Sequence, residues 1–151
     1  MGYTVEAFIC NQADGHVLPD HFDKAVRVDI GQGICLIPMT ENLYDQINKF
    51  QISQAILDSR FLTENVEHEI LKVVGERQFA YVEALYHGGQ GGQIAIIWKD
   101  NKRSHLLEYG PDKINYVLKY FGAVAPDGED EFLTLGFGLR RKTSDWLQQQ
   151  S

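Results

Sequence analysis

The chain has 151 residues, 44% of them apolar and 23% charged. That length bounds one domain with a sizeable core, and that composition excludes a disordered chain. The 14 Lys and Arg against 21 Asp and Glu leave a net charge of −7, which argues against binding a nucleic-acid backbone and for solubility or a basic partner.

The N-terminal run Tyr3 to Cys10 reads as a strand, with Val5, Phe8 and Ile9 apolar. Residues 12–15 carry a turn signal, and 17–22, which include Pro19, read as irregular. Val26, Val28 and Ile30 alternate with Arg27 and Asp29, and a second apolar run covers 34–39. Gly31 and Gly33 separate them, so 25–39 is a candidate hairpin. Thr40 caps a helix carrying Leu43, Tyr44, Ile47 and Phe50 at helical spacing. Residues 53–61 read as a second short helix or its continuation. Thr63 caps another helix, with the stripe Val66, Ile70, Leu71, Val73 and Val74 and with Gly75 just past its end.

Three strands follow, at 79–86, 94–98 and 104–109, the middle one an unbroken apolar run expected to be buried. Pro111 opens a helix lined by Ile114, Val117, Leu118 and Phe121 and ended by Gly122. Residues 123–131 form an acidic loop, 132–139 a loop or short strand, and Ser144 caps a last short helix before a frayed polar tail at 148–151. This order predicts an α+β fold over a single domain, 1–151. It comprises an antiparallel sheet of two hairpin or meander groups, with helices packed on one face.

Cys10 and Cys35 both lie in apolar runs, behave as small hydrophobes and imply a reducing, cytoplasmic home. No signal-peptide pattern opens the sequence, and no apolar run approaches the roughly 18 residues of a membrane span. Glu6 stands where a myristoylation signal needs Ser or Thr. No Cys or His pair has metal-ligand spacing, since Lys72 breaks the one zincin-like start at His68-Glu69. Neither a metal nor a cofactor is expected.

The most unusual stretch is His87-Gly88-Gly89-Gln90-Gly91-Gly92-Gln93, in which four of seven residues are glycine. It reads as a loop too long for a two-residue hairpin turn, and so as either a strained corner or a surface for a partner or ligand. Its backbone amides offer an anion cradle beside His87 and the basic patch at Arg140. It lacks the Lys-Ser or Lys-Thr of a phosphate loop, and the chain lacks a nucleophile elbow. Glu129, Asp130 and Glu131 form an acidic cluster, readable as a solvated loop or a docking surface for basic groups.

Residues 86–93, Trp98, Ile114-Asn115, Asp130-Glu131-Phe132, Gly136-Phe137-Gly138, Arg140 and Asp145-Trp146 together resemble a family of small, uncharacterised bacterial cytosolic proteins. Some of its members are similar to the immunity proteins that neutralise secreted toxins of competing bacteria. The resemblance spans about residues 80–147 and departs at His87, where the family carries an aromatic residue. It implies a non-enzymatic binder. The expectation is therefore a small interaction protein, immunity-like, inhibiting a basic protein partner. Its contacts would come from His87 to Gln93, from Glu129, Asp130 and Glu131, and from Arg140. The alternatives are a small-molecule or anion-binding domain, including a hydrolase, built on 87–93, and a homodimer in which that loop is only a corner.

Overall fold

The computed structural model describes residues 2–150. The polar tail expected to fray falls largely outside this description, which excludes Ser151 and the side chains of 148–150. Six strands form one antiparallel sheet: β1 (Gly2–Asn11), β2 (Val28–Gly31), β3 (Ile34–Pro38), β4 (Phe79–His87), β5 (Gln90–Lys99) and β6 (Lys102–Gly110). Their spatial order is β2-β3-β1-β4-β5-β6. The N-terminal strand is therefore central, between the β2-β3 hairpin and the β4-β5-β6 meander, as an antiparallel α+β sheet of two groups should be.

The helices cover both faces rather than the single face expected. The reason lies in the strands: β1, β3, β4 and β5 are nearly continuously buried rather than alternating, so each face needs a cover. On one face Phe8, Cys10, Cys35, Ile37, Phe79, Tyr81, Ile96 and Trp98 meet α1 (Val17–His21), α2 (Glu41–Asn48) and α3 (Glu64–Val74). On the other face Val5, Ala7, Ile9, Leu36, Ala80, Val82, Ala95 and Ile97 meet α4 (Lys113–Tyr120) and the C-terminal segments around Phe137 and Trp146.

Local signals explain most helix ends. Thr40 accepts from the Leu43 N–H and Thr63 from the Val66 N–H, each satisfying an otherwise unpaired donor of the first turn. Gly75 follows α3 at φ 62°. Pro19 sits at the third position of α1, where its missing N–H is one that a helix leaves unpaired anyway, so 17–21 is helical rather than irregular. Residues 131–134 form the short helix α5 and 137–139 a 3-10 turn, where a loop or strand was expected.

Residues 53–61 are not a helix. Ala55 bridges to Thr63, the Ile56 N–H donates to the Leu62 carbonyl at 2.9 Å, and Leu57 and Asp58 both take φ 55°. Two successive left-handed residues that are not glycine cost about 1 kcal/mol each, so something must hold this loop.

The edge of β1 changes partner midway. β3 ends at Pro38, opposite Ala7, and the Met39 N–H still reaches the Glu6 carbonyl at 2.9 Å. Beyond that point the C-terminal segment takes over: the Thr4 N–H donates to the Arg141 carbonyl at 2.8 Å and the Glu6 N–H to Thr143 Oγ1 at 3.0 Å. This return brings Lys142, Thr143 and Ser144 to the rim of the cleft described next.

Candidate functional site

The backbone of the even-numbered β1 residues points toward β3 and the C-terminal segment, as the bonds of Thr4, Glu6 and Gln12 show. The pairs that those residues make with β4 are therefore the non-hydrogen-bonded, close ones, with Cα atoms about 4.5 Å apart. Glu6 pairs with Glu83 in this register. Two carboxylates thus face each other at the closest cross-strand position, on the face that also carries Phe8 and Tyr81. Like charges directly opposite are destabilising unless something neutralises them.

Glu83 is held by donors. Tyr81 Oη donates to its Oε2 at 2.6 Å, the Phe61 N–H to the same oxygen at 3.3 Å, and the Arg60 N–H to Oε1 at 3.1 Å. Ser59 Oγ also donates to Oε2 and itself accepts from the Leu62 N–H. These bonds anchor the strained loop 55–63 to β4, which answers the question the loop's backbone raised.

Glu6 is less well compensated. It is 4% exposed, and among the described residues its carboxylate meets only Arg60 Nη1 at 3.5 Å and Thr143 Oγ1 at 3.4 Å. Burial first, and the Glu83 charge second, push its carboxyl up to about 7 against the partial opposition of Arg60. The Arg60 side chain is 54% exposed and is shared with Glu41 at 3.1 Å. Burial, then Glu83, also raises the Tyr81 phenol well above its ordinary range.

A trough runs over this pair. A hollow of about 400 Å³ is bounded by Thr40, Glu41, Arg60, Phe61 and Lys142. It continues into one of about 260 Å³ over Glu6, Glu83 and Asp58. A third, of about 320 Å³, is floored by Leu57, Leu85, Gly92, Ile94 and Tyr109. The trough therefore passes from a charged end across two carboxylates to an apolar end.

The residues singled out from sequence lie elsewhere. The expected seven-residue loop is a two-residue turn: His87 pairs with Gln90, and Gly88 and Gly89 take φ 60° and 82° between them. Both angles are positive, as the hairpin turn that matches strand twist requires, and only glycine enters that conformation freely. Gly91 and Gly92 belong to β5, the first exposed and the second buried, and neither has room for a side chain. An added Cβ at Gly91 would lie 2.0 Å from the Leu85 carbonyl, and one at Gly92 would lie 2.7 Å from the Tyr109 ring. Gln93 is buried; it donates to Tyr86 Oη at 3.1 Å and accepts from the Ile114 N–H at 2.8 Å, capping α4. His87, Gly88, Gly89 and Gln90 are exposed at the tip, and none of them borders the trough.

The acidic cluster is divided. Asp130 caps α5 through the Leu133 N–H at 2.9 Å and accepts from Asn115 Nδ2 at 3.0 Å. Glu131 is buried with Lys119 at 3.8 Å, and Glu129 is exposed. Arg140 donates to the Gly136 carbonyl at 3.0 Å and lies over the Trp146 ring at 4.7 Å. Asp130, Glu131 and Arg140 thus hold the second face together. Among the described residues no group of three or more His, Cys, Asp or Glu could hold a metal ion, and no helix is long and apolar enough to cross a membrane.

Glu6 and Glu83 were not singled out. The available signal was one carboxylate inside each of two apolar strand runs, Val5-Glu6-Ala7 and Val82-Glu83-Ala84. Only the β1-β4 register joins them. Compared with protein-family models, curated proteins and solved structures, the chain matches none.

Proposed function

We propose that this chain is a binding protein that holds a basic protein partner over the trough. The observation that carries this reading is the Glu6-Glu83 pair. Two carboxylates are fixed opposite each other on the two central strands, and the guanidinium beside Glu6, that of Arg60, is half in solvent and reaches Glu83 only through its backbone N–H. A lysine or arginine from a partner entering the trough relieves a repulsion that the free protein sustains. Glu41 and Asp58 line the same trough and extend its negative field. The net charge of −7 steers a basic partner toward it.

The test is affinity capture from cells of the source organism, with wild type and the Glu6→Gln/Glu41→Gln/Asp58→Asn triple variant immobilised side by side. At low salt the wild type should retain a basic protein that the variant does not, and raising the salt to about 0.5 M should release most of it. Equal retention by the variant, or a retained partner that is acidic, would overturn the reading.

A further inference from the structure

The sheet has two edges and one uncovered area of face. Both edges are defended. β2 is four residues long, its register breaks between Asp29 and Gly31, and the neighbouring Gln32 exchanges two hydrogen bonds with the Val124 backbone at 2.8 and 3.0 Å. β6 breaks register twice against β5 and carries Lys102 and Arg103 at its start. Bulges and charges of this kind discourage strand addition.

The face is not defended. Helices α1, α2 and α3 cover the half of it around Phe8 and Trp98. The other half, on β4, β5 and β6, is left open. There Leu85 is 60% exposed, Leu106 44% and Tyr109 65%, beside the buried Ile94. Leu85 pairs with Gly92, Ile96 with Leu106, and the Tyr109 ring rests against Gly92, so these side chains share one surface. This is the apolar end of the trough. Its volume of about 320 Å³ has room for a large side chain, and the charged residues that line it among the described residues, Asp58 and Glu83, are both acidic.

We infer that this hollow is the subsite for an apolar side chain of the partner that sits next to a lysine or arginine. The leucine- or phenylalanine-sized group fills the space between Leu85, Ile94 and Tyr109, and the adjoining cation reaches Asp58 and the Glu83-Glu6 pair. The inference rests on the binding reading above and adds the chemistry of the determinant. Apolar burial supplies affinity and the acidic rim supplies direction, because a neighbouring acidic residue would meet two like charges.

The experiment is an NMR titration of the full chain with three blocked dipeptides: acetyl-Phe-Arg-amide, acetyl-Phe-Glu-amide and acetyl-Gly-Arg-amide. The first should shift the Leu85 and Ile94 methyls and the Gly92 amide in a saturable way. The other two should bind at least about tenfold more weakly, a ratio that corresponds to about 1.4 kcal/mol. Leu85→Ser and Asp58→Asn, both at exposed positions, should each weaken the Phe-Arg peptide while leaving the spectrum elsewhere unchanged. The inference falls if acetyl-Phe-Glu-amide binds equally well, if both variants bind as wild type does, or if the shifts centre away from these residues. If the peptides fail while capture of the partner still depends on Glu6, Glu41 and Asp58, the trough stands and the hollow is not its apolar subsite. If the peptide binds in the hollow while capture ignores those charges, the hollow stands and the basic-partner reading falls.

Discussion

Replacing Glu6 by Gln keeps the shape of the side chain and removes its charge. In the folded chain the Glu6 carboxyl is raised from 4.5 to about 7, by burial and then by Glu83. The sign follows from proton binding. Between those two pH values the folded state holds a proton that the unfolded state has lost, so the contribution of Glu6 to stability is fullest below pH 4.5 and declines as pH rises to 7. At about 1.36 kcal/mol per pH unit the full effect is about 3 kcal/mol. Water in the open trough and the half-exposed Arg60 reduce this to about 1–2 kcal/mol. Glu6→Gln should therefore unfold at increasingly higher urea than wild type as pH rises from 5 to 8, with the gap growing by about 1–2 kcal/mol and the m-value unchanged. Part of any constant offset comes from the lost contacts with Arg60 and Thr143, and only the pH-dependent part bears on the pair. Two stability curves that stay parallel from pH 5 to 8 would refute the reasoning, because Glu6 would then ionise as it does in the unfolded chain.

The β4-β5 glycines should divide into two classes in thermal unfolding. Gly91→Ala drives a Cβ into the Leu85 carbonyl and should cost about 3 kcal/mol or more, whereas Gly88→Ala and Gly89→Ala meet only backbone strain and should cost about 1 kcal/mol each; equal losses at all three would contradict the packing described. Cys10 and Cys35 are opposite each other in a hydrogen-bonded pair of β1 and β3, where side chains stand farther apart than a disulfide prefers. Burial raises both thiols, Cys35 to about 12 with help from Asp29. Iodoacetamide at pH 8 should leave both unmodified in the native protein and label both in urea, as read by mass spectrometry.

The parts of the fold written in short-range chemistry were legible. Thr40 and Thr63 announce their helices because a capping hydroxyl serves N–H groups three residues away. The run 94–98 announces a buried strand, and a strand buried on both sides needs cover on both faces. Where a distant group decides, the sequence was silent or misleading. Residues 53–61 have helix-compatible composition, yet a carboxylate from β4 ties Ser59, Arg60 and Phe61 into a turn. Four glycines within seven residues suggest a long loop. Two of them make the turn, and the other two lie in a strand because the Leu85 backbone and the Tyr109 ring occupy the space a Cβ would need. Asp130, Glu131 and Arg140 stand out as charges in a line of text, but each is engaged within the second face.

Glu6 and Glu83 sit on the two central strands, inside an unbroken register that runs from Gly2 to Cys10 of β1, so the backbone cannot separate them. Three things can relieve their repulsion: a proton on Glu6, the guanidinium of Arg60, or a cation from outside. These compete for the same charge, so proton binding and partner binding must oppose each other by linkage. With Glu6 raised toward 7, part of its ionisation falls between pH 6 and pH 8. A partner whose cation needs the ionised form should therefore bind up to about tenfold more tightly at pH 8 than at pH 6. The Glu6→Gln variant should bind more weakly at pH 8 and lose that dependence. Titration calorimetry at both values separates the cases: an affinity equal at the two pH values in wild type would mean that the partner's charge does not enter between the two carboxylates.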